Sequence, residues 1–211
     1  MTDTDENIYL RRYTSLPAVI YLLRQRAITL LDPESWDDSN DSHYLLLYRE
    51  KKRLKTVLAL CFTQVPETYH HWRVFAFGSS GVRIRFKRAE LLRAIQGQPG
   101  LRQEEVKYRS LEEMRAGNVK IENLPFLKRQ AFEDESEFRI IYESRKKRAK
   151  LDVPITLSCI DKITLSPWID PDMFAEIEGV IKSIDGCRGL HIGHTSLINS
   201  KTWKKFGKQA T

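Results

Sequence analysis

The sequence predicts an α+β fold: mixed or antiparallel sheets with flanking helices. Three observations predict it. Short alternating or near-continuous apolar runs recur along the chain, as strands do. Helical runs lie between them in no regular order. No glycine-rich turn follows the first strand, which argues against a doubly wound parallel sheet. The 211 residues are enough for one well-buried core, and scattered Gly and Pro mark no linker. Residues 1–211 are therefore read as a single domain, with 1–7 a flexible N-terminus and 204–211 a flexible basic tail.

The elements follow in chain order. Residues 8–13 form a first strand. Ser15 caps the next helix, with Pro17 in its first turn, and Leu16, Val19, Ile20, Leu23 and Ala27 make one buried stripe. Residues 28–31 form a strand that runs into an acidic loop at 36–41, where Asp, Ser and Asn disfavour regular structure. A helix is predicted at 43–52. The apolar run at 56–63 reads as a strand covered on both faces. An aromatic helix follows at 67–77, then a perfectly alternating strand at 82–86 with one buried face. Helices are predicted at 88–96 and 124–132, and strands at 105–109, 138–142, 152–157 and 161–165. An amphipathic helix at 171–184 and a short strand near 190 precede the basic tail.

Composition sets limits on function. Lys and Arg total 35 against 28 Asp and Glu, a net charge of +7. That excess suits a polyanionic partner, such as a nucleic acid or a phosphate-bearing cofactor, or serves solubility alone. Cys61, Cys159 and Cys187 are odd in number and include no Cys-x-x-Cys pair, so a reducing cytoplasm without a disulfide framework is expected. No apolar run approaches the roughly eighteen residues of a membrane helix. The acidic start lacks a secretory signal's basic and apolar regions. Neither a Gly-x-Ser-x-Gly elbow, a phosphate loop nor a His-Glu-x-x-His helix is present, which removes the common hydrolases, nucleotidases and zinc proteases.

Several clusters carry possible chemistry. Glu135 and Glu137 stand two apart where a strand begins; if extended, they share a face and one titrates high, suiting a base or hydrogen-bond acceptor. A solvated acidic turn entering a strand is the simpler explanation. Arg11-Arg12-Tyr13, at the end of the first strand, suits phosphate or ribose binding, or one of its arginines pairs with Asp38 or Asp41. Tyr69 and Trp72 share a helical face and could wall a pocket or fill the core. The carboxylates of 37–41 resemble an oxygen-ligand cluster but lack a calcium-loop pattern; capping the next helix is the simpler use. Cys187, His191 and His194 have zinc-type donors with no fourth ligand nearby, so no metal is expected. Arg145, Lys146, Lys147 and Arg148 lie at a hairpin tip that either grips phosphates or is simply solvated.

Read together, Arg-Tyr-x-Ser-Leu at 12–16, Trp-Asp-Asp-x-Asn-Asp at 36–41, Cys-Phe-Thr at 61–63, Trp72, Gly-Val-Arg-Ile-Arg-Phe at 81–86, Lys128-x-x-x-Phe132 and Glu135-x-Glu137-Phe138-Arg139 resemble a widespread, mostly bacterial family known as domain of unknown function 2971. The resemblance spans about residues 9–203. A more distant similarity is to the ADP-ribosyltransferase fold. It implies NAD or a related nucleotide as ligand, and a context in bacterial antiphage defence or toxin biology. By that resemblance Arg12, with Tyr13, holds the cofactor, Trp72 or Thr63 flanks the nicotinamide, and Glu137 promotes glycosidic cleavage with Glu135 as partner. The Ser-Thr-Ser string and the Tyr-x-Tyr helix of the best-known pattern are missing. Two other readings remain open: a non-catalytic nucleic-acid-binding module, and a carboxylate-metal nuclease using Asp38, Asp41 and Glu135.

Overall fold

Strand β3 (Thr56–Thr63) organises the molecule, because three other strands pair with it. The computed structural model describes residues 8–76, 78–117 and 119–209. The expected flexible start at 1–7 and the last two residues of the expected tail lie outside them. Along one edge of β3 runs the full length of β8 (Glu137–Ser144), antiparallel from Thr56↔Ser144 to Thr63↔Glu137. Its other edge is forked. Thr63 pairs with Arg11 of β1 (Tyr9–Ser15), while Ala59 pairs with Leu31 of β2 (Ala27–Leu31). One arm continues from β1 through β4 (Gly81–Lys87) and β10 (Ile160–Leu165) to β11 (Ile192–His194). The other continues from β2 to β9 (Lys150–Pro154). β5 (Leu101–Glu105) extends the sheet beyond β8. Only the β10–β11 pair in this nine-stranded sheet is parallel. β6 (Lys107–Arg109) and β7 (Leu127–Arg129) form a small parallel pair of their own. This is a single α+β domain with a mixed sheet and flanking helices.

Both faces of β3 are covered, which is why its sequence is almost uninterruptedly apolar. Leu58, Leu60 and Phe62 face the main core with α1 (Leu16–Gln25), α4 (Arg88–Ile95) and α6 (Pro171–Ser183). Val57 and Ala59 face Leu45 and Tyr48 of α2 (Ser39–Lys51). Near the fork, Tyr13 packs against Trp72 of α3 (Tyr69–Phe75). The Ser15 hydroxyl accepts from the Ala18 amide, the cap expected from sequence. Among the described residues no helix is long and apolar enough to cross a membrane.

Several expected elements differ. The helix expected at 124–132 is replaced by a 3-10 turn (Ile121–Phe126), β7 and a second 3-10 turn (Gln130–Glu135). Residues 127–129 instead pair with β6, and that tertiary pairing overrides the helical spacing. The strand expected at 105–109 is two short strands, β5 and β6. β4 does not leave one face to water: Arg83 is buried and paired with Glu67, and Arg85 pairs with Asp161. α2 begins at Ser39, inside the acidic loop, because Asp38 accepts from the amides of Asn40 and Asp41. α5 (Leu111–Ala116), built on a Ser110–Glu113 capping box, was not anticipated. The basic tail is helical as far as Gly207, as α7 (Lys201–Gly207).

Candidate functional site

The site forms where β8 begins. Glu135 ends a 3-10 turn, Ser136 takes a left-handed conformation (φ 43°), and Glu137 opens the strand. A non-glycine residue in that region costs about 1–2 kcal/mol, and its surroundings hold it there. The Gln64 amide donates to the Ser136 carbonyl at 3.0 Å and Val106 N–H to the Glu137 carbonyl at 2.9 Å. The Thr63 hydroxyl donates to the Glu135 carbonyl at 2.6 Å, and Glu137 N–H to the Tyr108 hydroxyl at 2.8 Å. The two glutamates are therefore not both extended, as the period-two reading assumed.

Arg139, two residues into β8, is fully buried, and all five of its N–H donors are used. Asp41 accepts two of them at 2.8 and 2.6 Å, Glu137 two at 2.6 and 2.9 Å, and the Pro125 carbonyl one at 2.8 Å. The ring of Trp36 lies over the guanidinium at 5.2 Å. Lys128 from β7 is the second cation: its Nζ is 2.5 Å from Glu135 Oε2, 3.5 Å from Glu137 and 3.7 Å from Asp41. Three carboxylates thus share two cations, a formal excess of one negative charge if all five groups are ionised.

The environment sorts these groups. Burial drives the Glu137 pKa up, but Arg139 and Lys128 more than offset it and hold the carboxyl at about 2. Burial outweighs the same cations at Asp41 and Glu135, which are both raised. The three carboxylates keep Lys128 charged against its burial. Burial, followed by the Glu137 charge, pushes the Cys61 thiol well up, so it is no thiolate nucleophile.

Asp41 and Lys128 also line a cleft of about 390 Å³. Its wall carries Tyr44, Leu111, Met114 and Leu127, and its polar lining includes His43, Arg109 and Arg129. Glu135 stands behind Lys128 with 11% of its side chain exposed; Oε1 has no hydrogen-bond partner among the described residues.

The sequence-predicted residues are partly brought together. Glu135, Glu137 and Thr63 share this corner. Tyr13 and Trp72 form a T-shaped pair at 5.1 Å behind it, closed from solvent. His71, stacked on Tyr13, is buried and its pKa is lowered, mainly by that burial. Arg12 is separated. Strand register puts Arg11, Thr63 and Glu137 on one face and Arg12 on the other, opposite Ile84. The Arg12 guanidinium donates to the Cys61 carbonyl at 3.1 Å, at the fork between β1 and β2, and meets no carboxylate among the described residues. Neither Asp38 nor Asp41 pairs with Arg12; Asp38 caps α2 and Asp41 belongs to Arg139.

Arg145, Lys146, Lys147 and Arg148 are exposed at the β8–β9 tip. That tip is at the opposite end of an eight-residue strand from Glu137, roughly 24 Å away. Among the described residues no group of three or more His, Cys, Asp or Glu could hold a metal ion; Lys128 and Arg139 occupy the space between the carboxylates that the nuclease reading needs. The sequence motifs include Lys128 and Arg139 but give neither a role, and Arg109 and Arg129 are not singled out by the sequence at all. Arg139 was detectable, because its spacing from Glu137 puts both on one face; Lys128 comes from a strand read as helix.

No family model and no curated protein matches this chain, so the resemblance to domain of unknown function 2971 rests on the motifs alone. Among solved structures, the chain is similar in overall course to Thermus sp. 2.9 DarT in complex with NAD+, with a TM-score of 0.47, 10% identity and coverage of 90% of this chain and 96% of that one. It is similar also to Thermus sp. 2.9 DarT in complex with carba-NAD+, at 0.45, 12%, 90% and 96%, and with ADP-ribosylated ssDNA, at 0.45, 9%, 90% and 95%.

Proposed function

We propose that this chain is an ADP-ribosyltransferase-like protein that binds NAD in the cleft beside Lys128 and breaks its nicotinamide–ribose bond. The observation that carries the reading is the unbalanced carboxylate cluster at the head of β8, bordering a cleft of small-molecule size with arginines in its lining. When the glycosidic bond breaks, its electron pair leaves with nicotinamide and the ribose becomes oxocarbenium-like. A fixed, desolvated excess of negative charge stabilises that cation. Glu135, behind Lys128 and not itself in the cleft lining, is the carboxylate with an oxygen that accepts no hydrogen bond among the described residues, and its role is to accept from a ribose hydroxyl. Glu137 is locked on Arg139, and its role is to hold the frame. Arg129, and Arg109 beside its partner Glu113, suit the diphosphate; Arg12 lies on the other face, away from the ribose-holding task that the resemblance implies for it. Thr63 fixes the Glu135 carbonyl, while Tyr13 and Trp72 pack against each other.

The test is release of nicotinamide from labelled NAD, with bacterial extract supplied as a source of acceptors. Glu135→Gln should lose about 100-fold or more in rate, the scale of removing one transition-state electrostatic contact. Equal release by a folded Glu135→Gln protein would overturn the assignment. A context in defence or toxin biology, and a cytoplasmic site of action, belong to the same proposal.

A further inference from the structure

Among the described residues, helix α7 has none of the packing that normally stabilises a short helix. It is seven residues long, and every residue of 201–209 is exposed. Isolated helices under about twelve residues are marginal in water, so its amphipathic pattern calls for a partner. Trp203 and Phe206, three apart and so on one face, are 79% and 62% exposed; no other large apolar side chain described is as open. Around them stand Lys201, Lys204, Lys205 and Lys208, none paired with a carboxylate among the described residues. Lys204 instead donates to Asn199 at 2.7 Å. From 186 to 209 the sequence contains no Asp or Glu.

We infer that α7 is a docking element for single-stranded nucleic acid, with Trp203 and Phe206 stacking on bases and the four lysines on phosphates. Charge complementarity selects a polyanion. The aromatic character of the apolar face selects one whose unpaired bases offer flat π surfaces. Two rings on two helical turns bury too little apolar surface to hold a protein on a bilayer. This inference does not depend on the NAD reading, because α7 contributes nothing to the cleft.

The experiment is fluorescence anisotropy of labelled twelve-nucleotide oligo-dT and oligo-U with the full chain, against the Trp203→Ala/Phe206→Ala and Lys204→Glu/Lys205→Glu variants. Vesicles of phosphatidylserine and phosphatidylcholine form a parallel arm. Wild type is expected to bind the oligonucleotides with a log–log salt slope of about −3, from about 0.7 per phosphate contacted. Loss of the two rings should weaken binding at least tenfold with little change in slope. Charge reversal should both weaken binding and flatten the slope. NAD binding should be unchanged in both variants. Equal oligonucleotide binding by wild type and the double-alanine variant would overturn the inference. So would no binding, or binding to vesicles alone.

Discussion

Removing the Arg139 guanidinium would leave Asp41 and Glu137 buried with only Lys128 to balance them. Breaking a buried ion pair by deleting one partner costs about 3–5 kcal/mol. Arg139→Met is therefore expected to lower the unfolding free energy from urea titration by about that much; a loss under about 1 kcal/mol would show that the cluster relaxes. Glu137 makes the same point through pH. Its pKa is held at about 2 in the folded chain, against about 4.3 unfolded. Its contribution is complete above the unfolded value and is lost as pH falls through 4 towards 2, worth about 3 kcal/mol in all. Glu135 and Asp41 are raised, so their protonation favours the folded state as pH falls from neutral. Stability should therefore hold or rise slightly between pH 7 and 5, then drop. Denaturation series should show the acid limb flattened in Glu137→Gln, and an unchanged limb would refute the coupling. At this scale the sequence disclosed the paired glutamates and the rule linking Glu137 to Arg139. It named Asp41 beside Glu135 only as a metal ligand; the pairing of Asp41 with Arg139, 98 residues away, could not be read, because nothing local links the first turn of a helix to a strand so distant.

Among the elements, those that carry their own signal were legible. The apolar run of β3 and the Ser15 cap of α1 needed no distant information. β4 was legible as a strand but misread on its outer face, because Arg83 is buried by Glu67 from the segment before α3 and by Thr164 from β10. The stretch around Lys128 was misread because its apolar spacing mimics a helix, whereas its backbone pairs with β6. α2 matters most to the site, since its first turn presents Asp41. Asp38→Ala should cost about 1 kcal/mol, as N-cap losses do, and should weaken NAD binding by loosening Asp41. Thermal melting and calorimetry check both; a stability loss with unchanged NAD affinity would detach the cap from the site.

In the whole molecule, the forked sheet explains why the first strand contributes Arg11, rather than Arg12, to the face of Glu137. β1 meets β3 only at the last residue of β3, through Arg11↔Thr63, and the register of that single pairing decides which side chain faces which way. Sequence periodicity gives the alternation but not its phase across a fork. The same arrangement sets a negatively charged corner into a chain of net charge +7, with the arginines of the cleft lining between the two. A ligand with a cationic ring and an anionic diphosphate matches that polarity. The most direct test is NAD titration by calorimetry with wild type, Glu135→Gln and Arg129→Ala, each checked by thermal melting. Micromolar binding by wild type, weakened about tenfold or more in both variants at unchanged stability, is the result the account predicts. No heat from a folded wild type, or equal affinity in all three, would contradict it.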